Sequence, residues 1–187
     1  MIILKYFFNI IIFYIFNTLF YKYLEKIYKN IYNKNRLRYI TKNIFKSIIL
    51  FVLFFYTIFV NNWSNENIYN YGIIYASHDI LSLIMFYDIL SITTILHHLA
   101  VLILSILNLF NNYEIYNVWH GLVLYCFLSA STFYVNLFLG ARFLINRNLS
   151  RIISKKLFCF YLITCISNWL YQIYNILDIL HFHSNLN

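Results

Sequence analysis

The sequence predicts an all-α polytopic membrane protein, a six-transmembrane-helix bundle around a polar cavity. Three observations carry that expectation. The chain is 62% hydrophobic and only 11% charged, whereas soluble domains are about 45–50% apolar and about 25% charged. It has no proline and only 3 glycines among 187 residues, so long helices run without breakers. Thirteen of its 14 Lys and Arg residues fall in two clusters, at 22–46 and 142–156, each bordered by apolar stretches. A nucleic-acid-binding module would carry a basic face on a soluble domain. Basic residues that flank apolar spans mark the cytosolic side of a membrane instead, and no nucleic-acid partner is expected. Ile, Asn, Lys, Tyr and Phe all have A/T-rich codons, so the abundance of Tyr and Phe is not read as an aromatic binding site.

The spans follow in order. Residues 2–21 are apolar apart from Lys5, Asn9, Asn17 and Thr18, close to the roughly 20 residues that a crossing needs. No small-residue cleavage site follows, which favours a retained span over a secretory signal. Segment 22–46 is basic, with Glu25 its only acid. Its Tyr/Ile/Lys pattern fits an interfacial amphipathic helix or a solvated loop equally well. A second span, 44–60, ends near Trp63, at the level of an interfacial aromatic. The third and fourth spans, 72–90 and 92–110, are joined by a tight turn near Tyr87–Ser91. The fifth covers about 118–140 and the sixth about 157–177, with a polar tail from Asp178. These divide the chain into a first span with its basic loop (1–39), a transmembrane domain (40–180) and a tail (181–187).

The loops after spans two and four hold Glu66 and Glu114 and no basic residue. The excess of Lys and Arg therefore places the loops after spans one and five, and the Tyr87–Ser91 turn, in the cytosol, with both termini on the outer or lumenal face. Asn62-Trp63-Ser64 is a glycosylation sequon too close to the membrane to be used, and Asn148-Leu149-Ser150 falls on the cytosolic side. Cys126, Cys159 and Cys165 lie in apolar segments with no metal-knuckle or disulfide spacing, and read as small buried residues.

Each of the last four spans carries one polar stripe at the helical period. Tyr75, His78, Asp79 and Ser82 share a face of the third. Ser91, Thr94, His98 and Ser105 share a face of the fourth, flanked by His97 and Asn108. Tyr125, Ser129, Thr132 and Asn136 align on the fifth, and Tyr161, Thr164, Asn168, Gln172 and Asn175 on the sixth. Lipid cannot satisfy such groups, so they face one another or water. Ser, Thr and Asn taken singly read as glue between helices, but Asp79, His97 and His98 are costlier to bury and are functional candidates. Measured from a turn centred on Ile89, Asp79 lies about 3 Å deeper than His97 at roughly 1.5 Å per residue, within reach of one histidine. Adjacent imidazoles diverge by about 100°, so the pair is not expected to chelate an ion. One is expected to face the cavity and the other a neighbouring helix, and no metal or cofactor is expected. Asp88 at the turn reads as a cap or solvated group, and His120, His181 and His183 as structural.

The residues YGIIYASHD ending at Asp79, ILHHLAVLIL with His97 and His98, and SASTFYVN with Ser131, Thr132 and Asn136 carry a family likeness. Over about residues 40–180 the chain resembles the TLC-domain proteins, the multi-pass group that includes ceramide synthases and non-enzymatic lipid-related proteins. Arg142 stands where an Arg follows the last motif in some members. The chain departs from the pattern at Ser129, where a Glu is usual, at Phe133, where a Pro is usual, and in lacking the acidic residues that follow the histidine pair in ceramide synthases. The resemblance implies a lipid-related membrane protein of the endoplasmic reticulum or another endomembrane, with membrane lipids as partners. Two functions follow from it. One is non-catalytic, binding or influencing membrane lipid through the cavity. The other is an acyl-CoA-dependent N-acyltransfer in which His97 or His98, oriented by Asp79, is the general base. Asn136 or Tyr125 would steady the oxyanion, and the donor would enter past the basic loops. Tyr75, Ser82, Thr94, Tyr125, Ser129, Thr132, Asn136 and Asn168 are the expected cavity lining.

Overall fold

The structure, a computed structural model, describes residues 2–59, 64–113 and 120–184, except for the side chains of residues 122 and 182–184. These residues form helices α1 (Ile2–Tyr28), α2 (Lys34–Phe59), α3 (Asn65–Phe86), α4 (Ile92–Asn108), α5 (His120–Ser131), α6 (Phe133–Ala141) and α7 (Arg147–Ser184), with a short 3-10 turn at Tyr87–Ile89. Since α5 and α6 continue one another, the bundle has six rods. Among the described residues, four are long and apolar enough to cross a membrane: α1, α2, α3 with its 3-10 extension, and the α5–α6 rod over Val123–Ala141. Helix α4 is shorter, at 17 residues. The protein is an all-α helical membrane bundle.

Local chemistry sets the breaks. The Tyr28 carbonyl accepts from the Ile31 and Tyr32 amides at 2.9 and 3.0 Å and ends α1. Asn33 Oδ1 accepts from the Arg36 amide at 2.9 Å and starts α2, a side-chain cap for an otherwise orphaned donor. Segment 22–46 is therefore neither an interfacial helix nor a loop. Only 29–33 turn; the lysines before them end α1, and 34–46 open the helix that continues into the second span. Nothing in 34–59 interrupts a helix, so the basic turns and the apolar turns form one rod. Ser64 caps α3, its Oγ accepting from the Asn67 amide at 3.4 Å, and Ser91 caps α4 by accepting from the Thr94 amide at 3.3 Å.

The expected fifth span is broken at Thr132. Ser131 Oγ and Thr132 Oγ1 each donate to a carbonyl three residues back, Leu128 and Ser129, at 2.6 Å. Hydroxyls bonding to their own helix backbone tighten and bend it, and the Val135 amide bonds to the Thr132 carbonyl at 2.9 Å in a 3-10 pattern.

Helix α2 is the central rod, packed against α1, α3, α5 and α6. Phe45, Ile49, Leu50 and Leu53 of α2 join Tyr71, Tyr75 and Ala76 of α3, Val101 of α4 and Ala130 of α5 in the core. The outward faces are apolar as well. Ile3, Leu4, Phe7 and Phe8 of α1 and Trp169, Leu170 and Ile173 of α7 are exposed, which suits lipid and not water. The turns 29–33, 87–91 and 142–146 meet at one end. There Tyr32 OH donates to the Phe143 carbonyl, and Arg38 donates to both Asp88 oxygens at 2.5 and 2.7 Å and to the Met85 carbonyl at 2.5 Å. Asp88 is thus a partner of Arg38 and not a helix cap. At the opposite end Lys5, the one basic residue inside the first span, donates to Asn70 Oδ1 at 2.9 Å.

Gly140 sets the closest approach of α2 and α6. A Cβ there would lie 3.1 Å from the Ile40 carbonyl oxygen and 3.2 Å from the Ile44 amide nitrogen. Backbone cannot yield as a side-chain tip can. Gly140→Val should therefore lower stability by about 1–3 kcal/mol, read as a fall in the thermal midpoint of the purified protein in detergent; an unchanged midpoint would refute the close approach.

Candidate functional site

A cavity of about 460 Å³ opens between α2, α3, α4, the α5–α6 rod and α7. Helix α2 supplies Tyr39, Lys42, Asn43, Lys46 and Leu50, spaced at three and four residues so that they share one face. Tyr75 and Ser82 come from α3, and Thr94, His97 and His98 from α4. Tyr125, Ser129, Thr132 and Asn136 come from the α5–α6 rod, and Tyr161, Thr164, Cys165 and Asn168 from α7. The eight residues named as lining from their stripes thus stand on this one cavity, and both histidines do too. The two rings are placed unequally: both border the cavity, but His98 packs against Asp79 of the neighbouring α3. His98 is buried and His97 is open to the cavity, with their ring centres 5.6 Å apart.

Asp79 sits behind the lining, 1% exposed. Its Oδ1 accepts from Lys46 Nζ at 2.9 Å. His98 Nδ1 is 3.0 Å and His78 Nδ1 3.5 Å from the same oxygen. The His98 contact is close but off the N–H direction, so it is electrostatic and not a linear hydrogen bond. Both ring nitrogens of His98, and Asp79 Oδ2, are buried without a hydrogen-bond partner. His78 is wedged between this carboxylate and the ring of Phe45, at 6.0 Å, and does not reach the cavity lining.

Lys46 was not legible as a site residue. In the sequence it ends a basic cluster, and in the structure it is the counter-ion of the buried acid. The signal was the spacing Tyr39, Lys42, Asn43 and Lys46, a polar stripe of the kind seen on the later spans.

The remaining polar residues tie helices together. Ser105 Oγ bonds to Tyr6 OH at 2.5 Å and to the Gly72 carbonyl at 3.3 Å. Asn108 accepts from Tyr113 OH, and Gln172 donates to the Gly121 carbonyl at 2.8 Å. Tyr75 OH and Ser129 Oγ, both at the cavity, bond to each other at 2.6 Å. His120 Nε2 lies 3.1 Å from the Tyr113 carbonyl, a structural contact. Arg142 is exposed beside Tyr39, with Nη2 3.4 Å from its hydroxyl. The three cysteines are unpaired. Trp63, Glu114, Trp119, the side chain of His183 and most of the first sequon lie outside the described residues.

Donor atoms of Asp79, His97 and His98 lie within 4.8 Å of one another, a spacing that a small adjustment would suit to a metal ion. The charge around them opposes one. Lys46 already occupies Asp79, and Lys42 lines the same cavity, so two ammonium groups stand against one carboxylate.

Compared with known proteins, the chain matches no family model, no curated protein and no solved structure.

The buried pair generates a stability test. Removing one member strands the other's charge, at a cost of roughly 3–5 kcal/mol. Asp79→Ala should melt far below the wild type, whereas Asp79→Leu combined with Lys46→Met should recover most of the loss. A double variant as unstable as the two single losses summed would refute a direct Lys46–Asp79 pair.

Proposed function

We propose that this chain is a TLC-domain type membrane protein whose cavity binds membrane lipid, and that it acts on bilayer composition without turning the lipid over. The observation that carries this reading is the cavity itself. It is lined by two imidazoles and a row of hydroxyls and amides, with a carboxylate buried behind its wall on Lys46, and it is walled by helices whose outer faces are apolar. A lipid is the ligand class that offers a polar head to such a pocket and an apolar tail to its surroundings. The His-His pair with its upstream Asp, the residues behind the family likeness, meets at this wall. The membranes of the secretory pathway, the endoplasmic reticulum first, are the proposed location, with the basic end in the cytosol.

A second reading is favoured by one feature. His98 has neither ring nitrogen hydrogen-bonded, and His97 faces the cavity, so an imidazole beside an anionic partner is free to accept a proton. In an acyl-CoA-dependent N-acyltransfer it would take the proton of a sphingoid-like amine as the amide C–N bond forms and the thiolate leaves. Asp79 would steady the resulting imidazolium.

Lipid extracted from the purified protein should be enriched in one class over the surrounding membrane, and that enrichment should fall when Asn136 and Thr132 are replaced by Leu. An extract that mirrors bulk membrane would overturn the lipid-binding reading. Incubation with acyl-CoA and a long-chain base separates the two readings: amide that disappears in His98→Ala establishes the enzyme, and ligand recovered unchanged establishes the binder.

A further inference from the structure

We propose that the lipid bound in this cavity carries a phosphate, and that Lys42 and Lys46 are its recognition residues; this rests on the lipid-binding reading above. The argument begins with charge. Lys42 and Lys46 stand one turn apart on the cavity face of α2, a spacing at which like charges oppose one another. Lys46 is paired with Asp79 at 2.9 Å. Lys42 lies against the ring of Tyr39, its Nζ 5.6 Å from the centroid, and among the described residues no carboxylate pairs with it. The chain has 6 acidic residues in all, and they are spent elsewhere. Glu25 accepts from Tyr21, Glu66 faces Lys5 and Asp88 holds Arg38. Asp178 lies beyond Asn168, the last α7 residue on the cavity, and Glu114 is outside the described residues. The cavity wall is therefore net positive.

A net positive pocket inside a membrane bundle is costly until an anion enters it. Charge of the same sign continues toward the basic end. Tyr39 also lines a second recess of about 290 Å³ shared with Arg36 and Arg142. Both guanidinium groups stack on Phe143, and neither has a carboxylate partner among the described residues. An anion approaching from that end meets Arg36 and Arg142, then Lys42, then Lys46. Phosphate fits this arrangement, since it presents several acceptor oxygens to two ammonium groups and to the nearby side-chain amide of Asn136.

The test uses the full-length protein in detergent, with bound adducts counted by native mass spectrometry. The probes are phosphatidic acid, diacylglycerol with the same acyl chains, and inorganic phosphate as competitor. Phosphatidic acid should bind about tenfold more tightly than diacylglycerol, the effect of roughly one charge-assisted hydrogen bond. Lys42→Gln, which breaks no ion pair, should erase that preference by weakening phosphatidic acid binding to the level of diacylglycerol, while Lys155→Gln should leave the preference as it is. Displacement by inorganic phosphate would show that the site takes phosphate from soluble esters too; resistance to it would assign the site to lipid headgroups, and both results support phosphate recognition. Equal binding of the two lipids, or a preference that survives Lys42→Gln, would overturn the phosphate inference and leave lipid binding standing. Failure of both lipids to bind would instead remove the lipid-binding reading beneath it.

Discussion

The contact between Lys46 and Asp79 is the constraint on which the rest of this bundle depends. A carboxylate in the middle of a helix that crosses a membrane cannot stay ionised without a partner. The partner here comes from a different helix, at 2.9 Å and with the acid 1% exposed. That contact sets the rotation and depth of α3 against α2. His98, 3.0 Å from the same oxygen, does the same for α4. Three rods therefore meet at one atom, and the apolar packing of Phe45, Leu50, Tyr75 and Val101 closes around it.

The other polar groups divide by what surrounds them. Where two helices touch, a hydroxyl or amide spans the gap, as Ser105 does between α4, α1 and α3 and as Gln172 does between α7 and α5. Where five rods leave space, the same residue types line a cavity. The division follows helix separation and not residue chemistry. Gly140 shows the close extreme, with α6 backbone nearly on α2 backbone, and the break at Thr132 separates the two halves of that rod.

Charge then limits what the cavity can hold. Its acid is already neutralised by Lys46, and Lys42 adds an unmatched positive charge. The Asp-His-His cluster has donors close enough for a metal ion, yet the field around it favours anions. The lysine pair suits an anionic group, and His97 stands open to the same space.

Much of this was legible in the sequence, because helical structure and its polar faces are local. Apolar length and the lack of proline indicate rods. The 3.6-residue period places Tyr75 beside Ser82, Thr94 beside His98, and Ser129 beside Asn136. What the chain order could not disclose was which stripe meets which. Lys46 reads as a member of a basic loop because its neighbours in sequence are basic, and only the packing of α2 against α3 gives it Asp79. His97 and His98 diverge on one helix, so a single helix cannot show that both open on the same space; five surrounding rods define that space. Periodicity is set by each backbone alone, whereas the partner of a buried charge is set by how separate helices come together.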